Sequence, residues 1–223
     1  KDVVCQDIDN FIRRRIVRAS EAIQSISAKK VQDGDVIVAY SRHLTRESST
    51  VERLLLKAKR EGRRFSVVTI DSGPVFEGRA LLSSLTSGLD PISCQYGLLP
   101  ALPSLLEQAS MILVDAPAIF KNGAVFSRAG TAMVAMMAKE GNIPFLVCCE
   151  TYKFSNSVLI DALEEGELGS LGRKISPSRQ QSFKMANIEH LHPEYDLAPP
   201  TYVTAIATEA GIIHPNAVVS IFL

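Results

Sequence analysis

Asp-Gly-Asp-Val-Ile-Val-Ala-Tyr, residues 33–40, sets a turn against five continuous apolar residues, most of them β-branched. Five such residues without polar alternation are too short for a helix. They have the pattern of a strand buried on both faces. Moving outward, the pattern returns in FSVVTID (Phe65 to Asp71), MILVDA (Met111 to Ala116) and IPFLVCC (Ile143 to Cys149), with ISCQY (Ile92 to Tyr96) as a shorter strand. Helical stretches separate them. One covers about Val51 to Glu61, capped by Ser48 or Ser49 and closed by Gly62. Others cover Gly78 to Leu85, Leu102 to Ser110, and about Arg128 to Glu140, where Gly141 stops the helix. Five strands alternating with helices imply right-handed βαβ crossovers. The expected fold is α/β: a Rossmann-like, doubly wound, mostly parallel sheet with helices on both faces.

Ahead of this core, residues 4–29 read as a helix with Ile8, Phe11, Ile12, Ile16, Ala19, Ile23 and Ile26 on one apolar stripe. Arg13, Arg14, Arg15 and Arg18 lie mostly off that stripe, as a solvated face or as a basic surface for an acidic partner. The expected organisation is an N-terminal helical segment over 1–30, preceding a Rossmann-like domain over 31–223. Within the domain, Glu164 to Asp196 is polar enough to expect a partly disordered insertion. After it, Pro199-Pro200 suits the start of a helix reaching about Ala210, and Ala217 to Leu223 reads as a final strand. The first residue is Lys rather than Met, so a fragment of a longer protein is expected.

Lys plus Arg and Asp plus Glu are 24 each, a zero balance that argues against non-specific nucleic-acid binding. No apolar run reaches the roughly 18–20 residues of a membrane span. Four cysteines in 223 residues make no disulfide framework. Cys5, Cys94, Cys148 and Cys149 are read as reduced thiols of a cytoplasmic protein. His43, His190, His192 and His214 lack the further close ligands of a metal site, so no metal is expected. Walker A, G-x-G-x-x-G and G-x-S-x-G sequences are absent, and no cofactor is expected. In open parallel sheets, ligands sit beyond the carboxyl ends of the strands. That edge is expected to hold the loops 41–50, 71–77, 117–127 and 150–155. Helix amino termini there suit an anion such as a phosphate, with Arg42, Arg46, Arg79 and Arg128 adding charge.

Four runs then carry a resemblance over essentially the whole chain: DSGPVFEGRALLSSL (71–85), KNGAVFSRAGTAMVA (121–135), IPFLVCCETYKF (143–154) and YDLAPPTYVTAIATEAG (195–211). In this order they resemble the superfamily that joins the regulatory subunits of eukaryotic translation initiation factor 2B to methylthioribose-1-phosphate isomerase and ribose-1,5-bisphosphate isomerase. N-G-x-x-x-S-R-x-G-T, Asn122 to Thr131, is its most specific element. CCETYKF and YD-x-x-PP resemble the delta branch of the regulatory subunits more than the alpha or beta branches.

The isomerases resembled use a cysteine at the end of the first Rossmann strand and an aspartate shortly before N-G, a thiol and a carboxylate that move protons between sugar carbons. Those positions fall on Ser41 and Pro117. Asp115, two residues from Pro117, is a weaker stand-in for the carboxylate. An arginine of the isomerases falls on Gly73, before Pro74, and a lysine falls on Arg128. The resemblance therefore implies no catalytic residues, with an anion position at Arg42, Arg128, Gly130 and Thr131 as the remnant of a pocket. It implies a regulatory subunit of the exchange factor for translation initiation factor 2. Its partners would be the other subunits, beta first, and the phosphorylated alpha subunit of initiation factor 2, with Arg13, Arg14, Arg15 and Arg18 as the surface toward that acidic partner. The alternative is a sugar-phosphate isomerase of the same superfamily. Apolar surfaces for subunit pairing are expected on Ala217 to Leu223 and on Thr201 to Ala210, where core burial is an equal explanation.

Overall fold

A computed structural model of the chain describes residues 2–41, 49–73, 75–159 and 193–222. The first elements are α1 (Asp2–Phe11), a π-helical turn over Ile12–Val17 and α2 (Arg18–Ala28). The core follows as β1 (Val36–Tyr40), α3 (Thr50–Arg60), β2 (Ser66–Asp71), α4 (Gly78–Thr86), β3 (Ser93–Leu98), α5 (Leu102–Leu106) and β4 (Met111–Asp115). Then come β5 (Ala118–Phe120), β6 (Val125–Arg128), α6 (Thr131–Glu140), β7 (Phe145–Cys148) and β8 (Phe154–Ser155). The described chain ends with β9 (Tyr195–Ala198), β10 (Ala205–Thr208), β11 (Gly211–Ile213) and a 3₁₀ helix over Pro215–Ile221.

The main sheet has seven strands in the order β11-β10-β7-β4-β1-β2-β3. Six are parallel, and β11 closes one edge antiparallel to β10. From β1 the chain builds outward through β2 and β3, then returns to lay β4 on the other side of β1. The carboxyl ends of β1 and β4 therefore flank the switch point, where doubly wound sheets place their ligand. The doubly wound α/β fold expected from the alternation is present.

Period-two alternation sends successive side chains to opposite faces. Val38, Tyr40, Val68, Ile70, Ile112, Val114, Phe145, Val147 and Cys149 enter one core, with Leu102 and Leu106 of α5 and Val134, Ala135 and Ala138 of α6. Ile37, Ala39, Val67, Leu113, Leu146 and Cys148 enter the other, with Ile23 of α2, Leu54, Leu55 and Ala58 of α3 and Leu81 and Leu85 of α4. Cys148 and Cys149 thus belong to two different cores, as adjacent strand residues must.

Several expectations are corrected. The loop read over 117–127 is a hairpin, β5 and β6, which belongs to a second sheet in the order β8-β5-β6-β9. The following helix begins at Thr131, not Arg128, because residues 125–128 are strand. The helix read over 102–110 ends at Leu106. The helix expected over 199–210 is a 3₁₀ turn (Pro200–Tyr202) followed by β10. Its last residues turn back at Gly211 (φ +133°), and the Thr208 hydroxyl donates to the Gly211 carbonyl across that turn. The final strand expected over 217–223 is 3₁₀ helix from Pro215, with Nδ1 of His214 accepting from the Asn216 N–H. Of the N-terminal stripe, Ala19 and Ile23 are buried, whereas Ile8, Phe11, Ile12 and Ile16 are exposed. Most of the polar insertion read over 164–196 lies outside the described residues; its last two, Tyr195 and Asp196, begin β9.

The hairpin depends on Asn122-Gly123. Gly123 has φ +79°, and a Cβ there would lie 2.6 Å from the carbonyl oxygen of Pro215. Asn122 donates from Nδ2 to the Leu159 carbonyl at 2.9 Å, and its Oδ1 accepts from the Ala124 N–H at 3.3 Å. Gly123→Ala combines left-handed strain with a backbone clash. It is expected to cost about 2 kcal/mol or more, lowering the melting temperature by roughly 4–8 °C in a thermal scan.

Candidate functional site at the strand switch point

Asp115 ends β4 beside the switch point, and its carboxylate lies against the amino terminus of α3. Its Oδ1 accepts from the Val51 N–H at 3.1 Å. Its Oδ2 accepts a short hydrogen bond from the Ser41 hydroxyl, at the end of β1. The Ser49 hydroxyl donates to it as well, while Ser49 Oγ caps α3 by accepting from the Glu52 N–H at 3.0 Å. Burial pushes the Asp115 carboxyl up, opposed by the Ser41 and Ser49 hydroxyls, the positive Lys153 and the Val51 N–H. The Asp115 carbonyl is held too, accepting from the Ser127 hydroxyl at 2.7 Å.

Beyond β7, buried Glu150 accepts from the Thr50 hydroxyl at 3.0 Å and pairs with Lys153 Nζ at 2.6 Å. Burial alone would lower the Lys153 ammonium; Glu150 overrides it, and the ammonium is pushed up to about 12. The N–H of Thr151 donates to Glu209 Oε2 at 3.0 Å. Burial pushes the Cys148 and Cys149 thiols well above their ordinary range, so both stay protonated at neutral pH.

The S-R-x-G-T stretch organises the other half of the edge. Arg128 Nη2 donates to Asp71 Oδ1 at 2.9 Å and to the Ser72 carbonyl at 2.8 Å. Its Nε lies 3.7 Å from Glu77, and its guanidinium sits over the Tyr40 ring at 5.1 Å. Asp71 also accepts from the Tyr96 hydroxyl and the Ser72 N–H, at 2.9 and 2.8 Å. The Tyr40 hydroxyl donates to the Ala129 carbonyl at 2.5 Å. Gly130 turns the chain into α6 at φ +102°, where a Cβ would meet Leu99 at 2.6 Å and the Tyr40 hydroxyl at 2.9 Å. The Thr131 hydroxyl donates to the Arg128 carbonyl at 2.6 Å. Asp196, from β9, caps α6: its Oδ2 accepts from the Gly130 and Ala132 N–H groups at 2.7 and 3.0 Å. Burial raises its carboxyl from the usual 3.8 to about 6 against the pull of those two donors.

The structure therefore brings Arg128, Gly130 and Thr131 together, with internal partners for much of their donor capacity. Arg42 and Arg46 lie outside the described residues. Arg79 is exposed and stacks over Phe76 at 4.8 Å instead of joining Arg128. Ser41 is buried, Pro117 and Gly73 are exposed, and Arg13, Arg14, Arg15 and Arg18 are exposed along the N-terminal helix. Among the described residues no three His, Cys, Asp or Glu side chains cluster as a metal site. Sequence reasoning placed Asp71, Glu150 and Lys153 in the loops of this edge without giving them a role, and placed Asp196 only in the polar insertion. The one signal for Asp71 was a carboxylate ending an apolar strand, where burial demands a cation.

Arg128→Met would leave the Asp71 charge buried without its main partner. The expected cost is roughly 3–5 kcal/mol, read from urea midpoints, with Arg128→Lys losing less because a charge remains. Asp196 predicts a pH dependence. Its carboxyl is raised in the folded chain, so the stability it contributes is fully present below about pH 4 and is lost as pH rises through about 6. Asp196→Asn removes that loss. Between pH 4 and 7 the variant should gain roughly 2–3 kcal/mol relative to the unaltered chain, the upper value being undiscounted for partial exposure.

Comparison with known proteins agrees with this architecture. The subunit delta of translation initiation factor eIF2B from Schizosaccharomyces pombe is 34% identical, over 99% of this chain and 48% of its own length. A ribose 1,5-bisphosphate isomerase from Pyrococcus furiosus is 30% identical, over 92% of this chain and 60% of its own. The chain thus spans about half of the curated relatives it matches. A chain in the crystal structure of the tetrameric eIF2B-beta2-delta2 complex from C. thermophilum superimposes with a TM-score of 0.77 at 32% identity, over 93% of this chain and 61% of that one. Residues 1–215 match the Initiation factor 2 subunit family. The chain, with its S-R-x-G-T stretch joining the two sheets, belongs to that family.

Proposed function

We propose that this chain is the C-terminal part of a delta-type regulatory subunit of the guanine nucleotide exchange factor for translation initiation factor 2, and that it has no isomerase activity. The observation that carries the second half is the state of the isomerase-equivalent pair. Ser41 offers a hydroxyl already bonded to Asp115, and Pro117 has no titratable group. Proton transfer between sugar carbons needs two groups able to exchange a proton near neutral pH, and this pair supplies none. Of the anion position, the Gly130 N–H and the Thr131 hydroxyl donate inside the chain, and Nη1 of Arg128 is left without a partner.

The beta subunit is the first partner, supported by the likeness to a beta2-delta2 assembly. The exposed Arg13, Arg14, Arg15 and Arg18 suit an acidic or phosphorylated partner, such as the phosphorylated alpha subunit of initiation factor 2. The exchange-factor role would place its work in the cytoplasm; no helix among the described residues is long and apolar enough to cross a membrane. The isomerase among the relatives favours the second reading, a sugar-phosphate isomerase.

Native mass spectrometry after co-expression with the beta subunit is expected to show a heteromer, and ribose 1,5-bisphosphate is expected to go unconverted. A self-dimer that turns the sugar phosphate over would overthrow the proposal in favour of the isomerase.

A further inference from the structure

A helix packed on a sheet ordinarily turns a polar side to water. The outward positions of α4 do so, with Arg79, Ser83 and Thr86 exposed. Those of α6 do not. Val134, Ala135 and Ala138 point into the core, yet the opposite side presents Met133 and Met136, 40% and 49% exposed. From Thr131 to Ala138 the helix holds no charged residue, and Lys139 and Glu140 come only in its last turn. A helix that is apolar all round is one covered on every side.

The uncharged surface continues beyond α6, which packs beside the 3₁₀ turn Pro200–Tyr202. That turn neighbours the 3₁₀ helix Pro215–Ile221, since a Cβ on Gly123 would lie 3.3 Å from Pro200 Cβ and 2.6 Å from the Pro215 carbonyl oxygen. Val219 and Ile221 of that helix are 40% and 38% exposed. Between Leu197 and Leu223 the one Asp, Glu, Lys or Arg is Glu209, in a chain that is 22% charged, and its carboxylate is held by Thr151. Loss of charge together with surface Met is the compositional mark of an interface core. The stretch 201–210 is mainly core instead, with Val203, Ile206 and Ala207 buried.

We infer that the outer face of α6, with Val219 and Ile221, is the surface on which this chain docks a beta-type subunit. The inference rests on the regulatory reading above and names the face which that reading leaves open. Two observations choose the occupant. A face without charge does not suit the acidic or phosphorylated partner matched to the arginines of the N-terminal helix. A chain of the same fold offers the equivalent helix, to be set against this one about an approximate two-fold axis, and eIF2B beta from Chaetomium thermophilum has this fold at a TM-score of 0.69. Four partly exposed side chains fall short of the roughly 800 Å² that a stable interface buries per partner. The contact therefore takes in the uncharged rim of Thr201, Asn216 and Ser220, all exposed.

Met133→Glu with Met136→Glu tests it, by native mass spectrometry and sedimentation with the beta subunit from the same source. Both positions are on the surface, so the melting temperature is expected to stay within about 2 °C of the unaltered chain. The two glutamates are expected to weaken the heteromer about 100-fold or more. Should they unfold the chain, Met136→Gln alone is expected to weaken it about tenfold. Val75→Glu with Leu89→Glu, at exposed apolar positions elsewhere, is expected to leave the heteromer unchanged. A heteromer formed equally well by the α6 variant, or weakened equally by the Val75 and Leu89 variant, would overturn the inference and leave the reading beneath it standing. No heteromer from the unaltered chain would overturn both. A self-dimer that the α6 glutamates abolish, with no beta subunit bound, would give the face to a second copy and overturn the choice of partner.

Discussion

The buried pair of Arg128 and Asp71 is the interaction on which the carboxyl edge depends. Desolvating two charges costs several kcal/mol per ion unless each finds close partners. Here each does: Asp71 collects Arg128, the Tyr96 hydroxyl and the Ser72 N–H, and Arg128 adds the Ser72 carbonyl and the Tyr40 ring. Because Asp71 ends β2 and Arg128 ends β6, the pair ties the small sheet to the main one. It also fixes the turn at Gly130, and so the direction in which α6 leaves.

With the two sheets tied, the polar groups at that edge are satisfied largely by the chain itself. The amino terminus of α3 meets Asp115, and that of α6 meets Asp196. Glu150 meets Lys153, and Glu209 meets Thr151. A helix terminus stabilised by an internal carboxylate is a rigid capping device. Helix termini that would otherwise favour an anionic ligand are in this way stabilised from within the chain.

The central strands were legible because full burial on both faces demands continuous apolar runs, which Val36–Tyr40, Met111–Asp115 and Phe145–Cys148 display. The hairpin of β5 and β6 was not, since strands of three and four residues carry too little pattern, and Ser127-Arg128 looks like the polar start of a helix. The Ala-rich AIATEA run has helical propensity, yet Ala205–Thr208 is strand, because β7 offers it a parallel partner across a buried face. Exposure of Ile8, Phe11, Ile12 and Ile16 was equally hidden, since a stripe tells which side of a helix is apolar and not what covers it. At the site, Arg128, Gly130 and Thr131 stood out through the motif. Asp71 meets Arg128, and Asp196 meets Gly130, only after folding brings β2 and β9 to the same edge.

By itself, then, the sequence determined the layered α/β class, the central strands and most of the helices packed on them. Those properties are local: they follow from periodicity, turn residues and side-chain identity. The strand order, the second sheet and the pairing of Arg128 with Asp71 and of Asp115 with α3 were decided by tertiary structure alone. Partners 57 and 64 residues apart in the chain meet there because strands converge at one edge of the sheet, where an unpaired buried charge or helix terminus must find a group of opposite character.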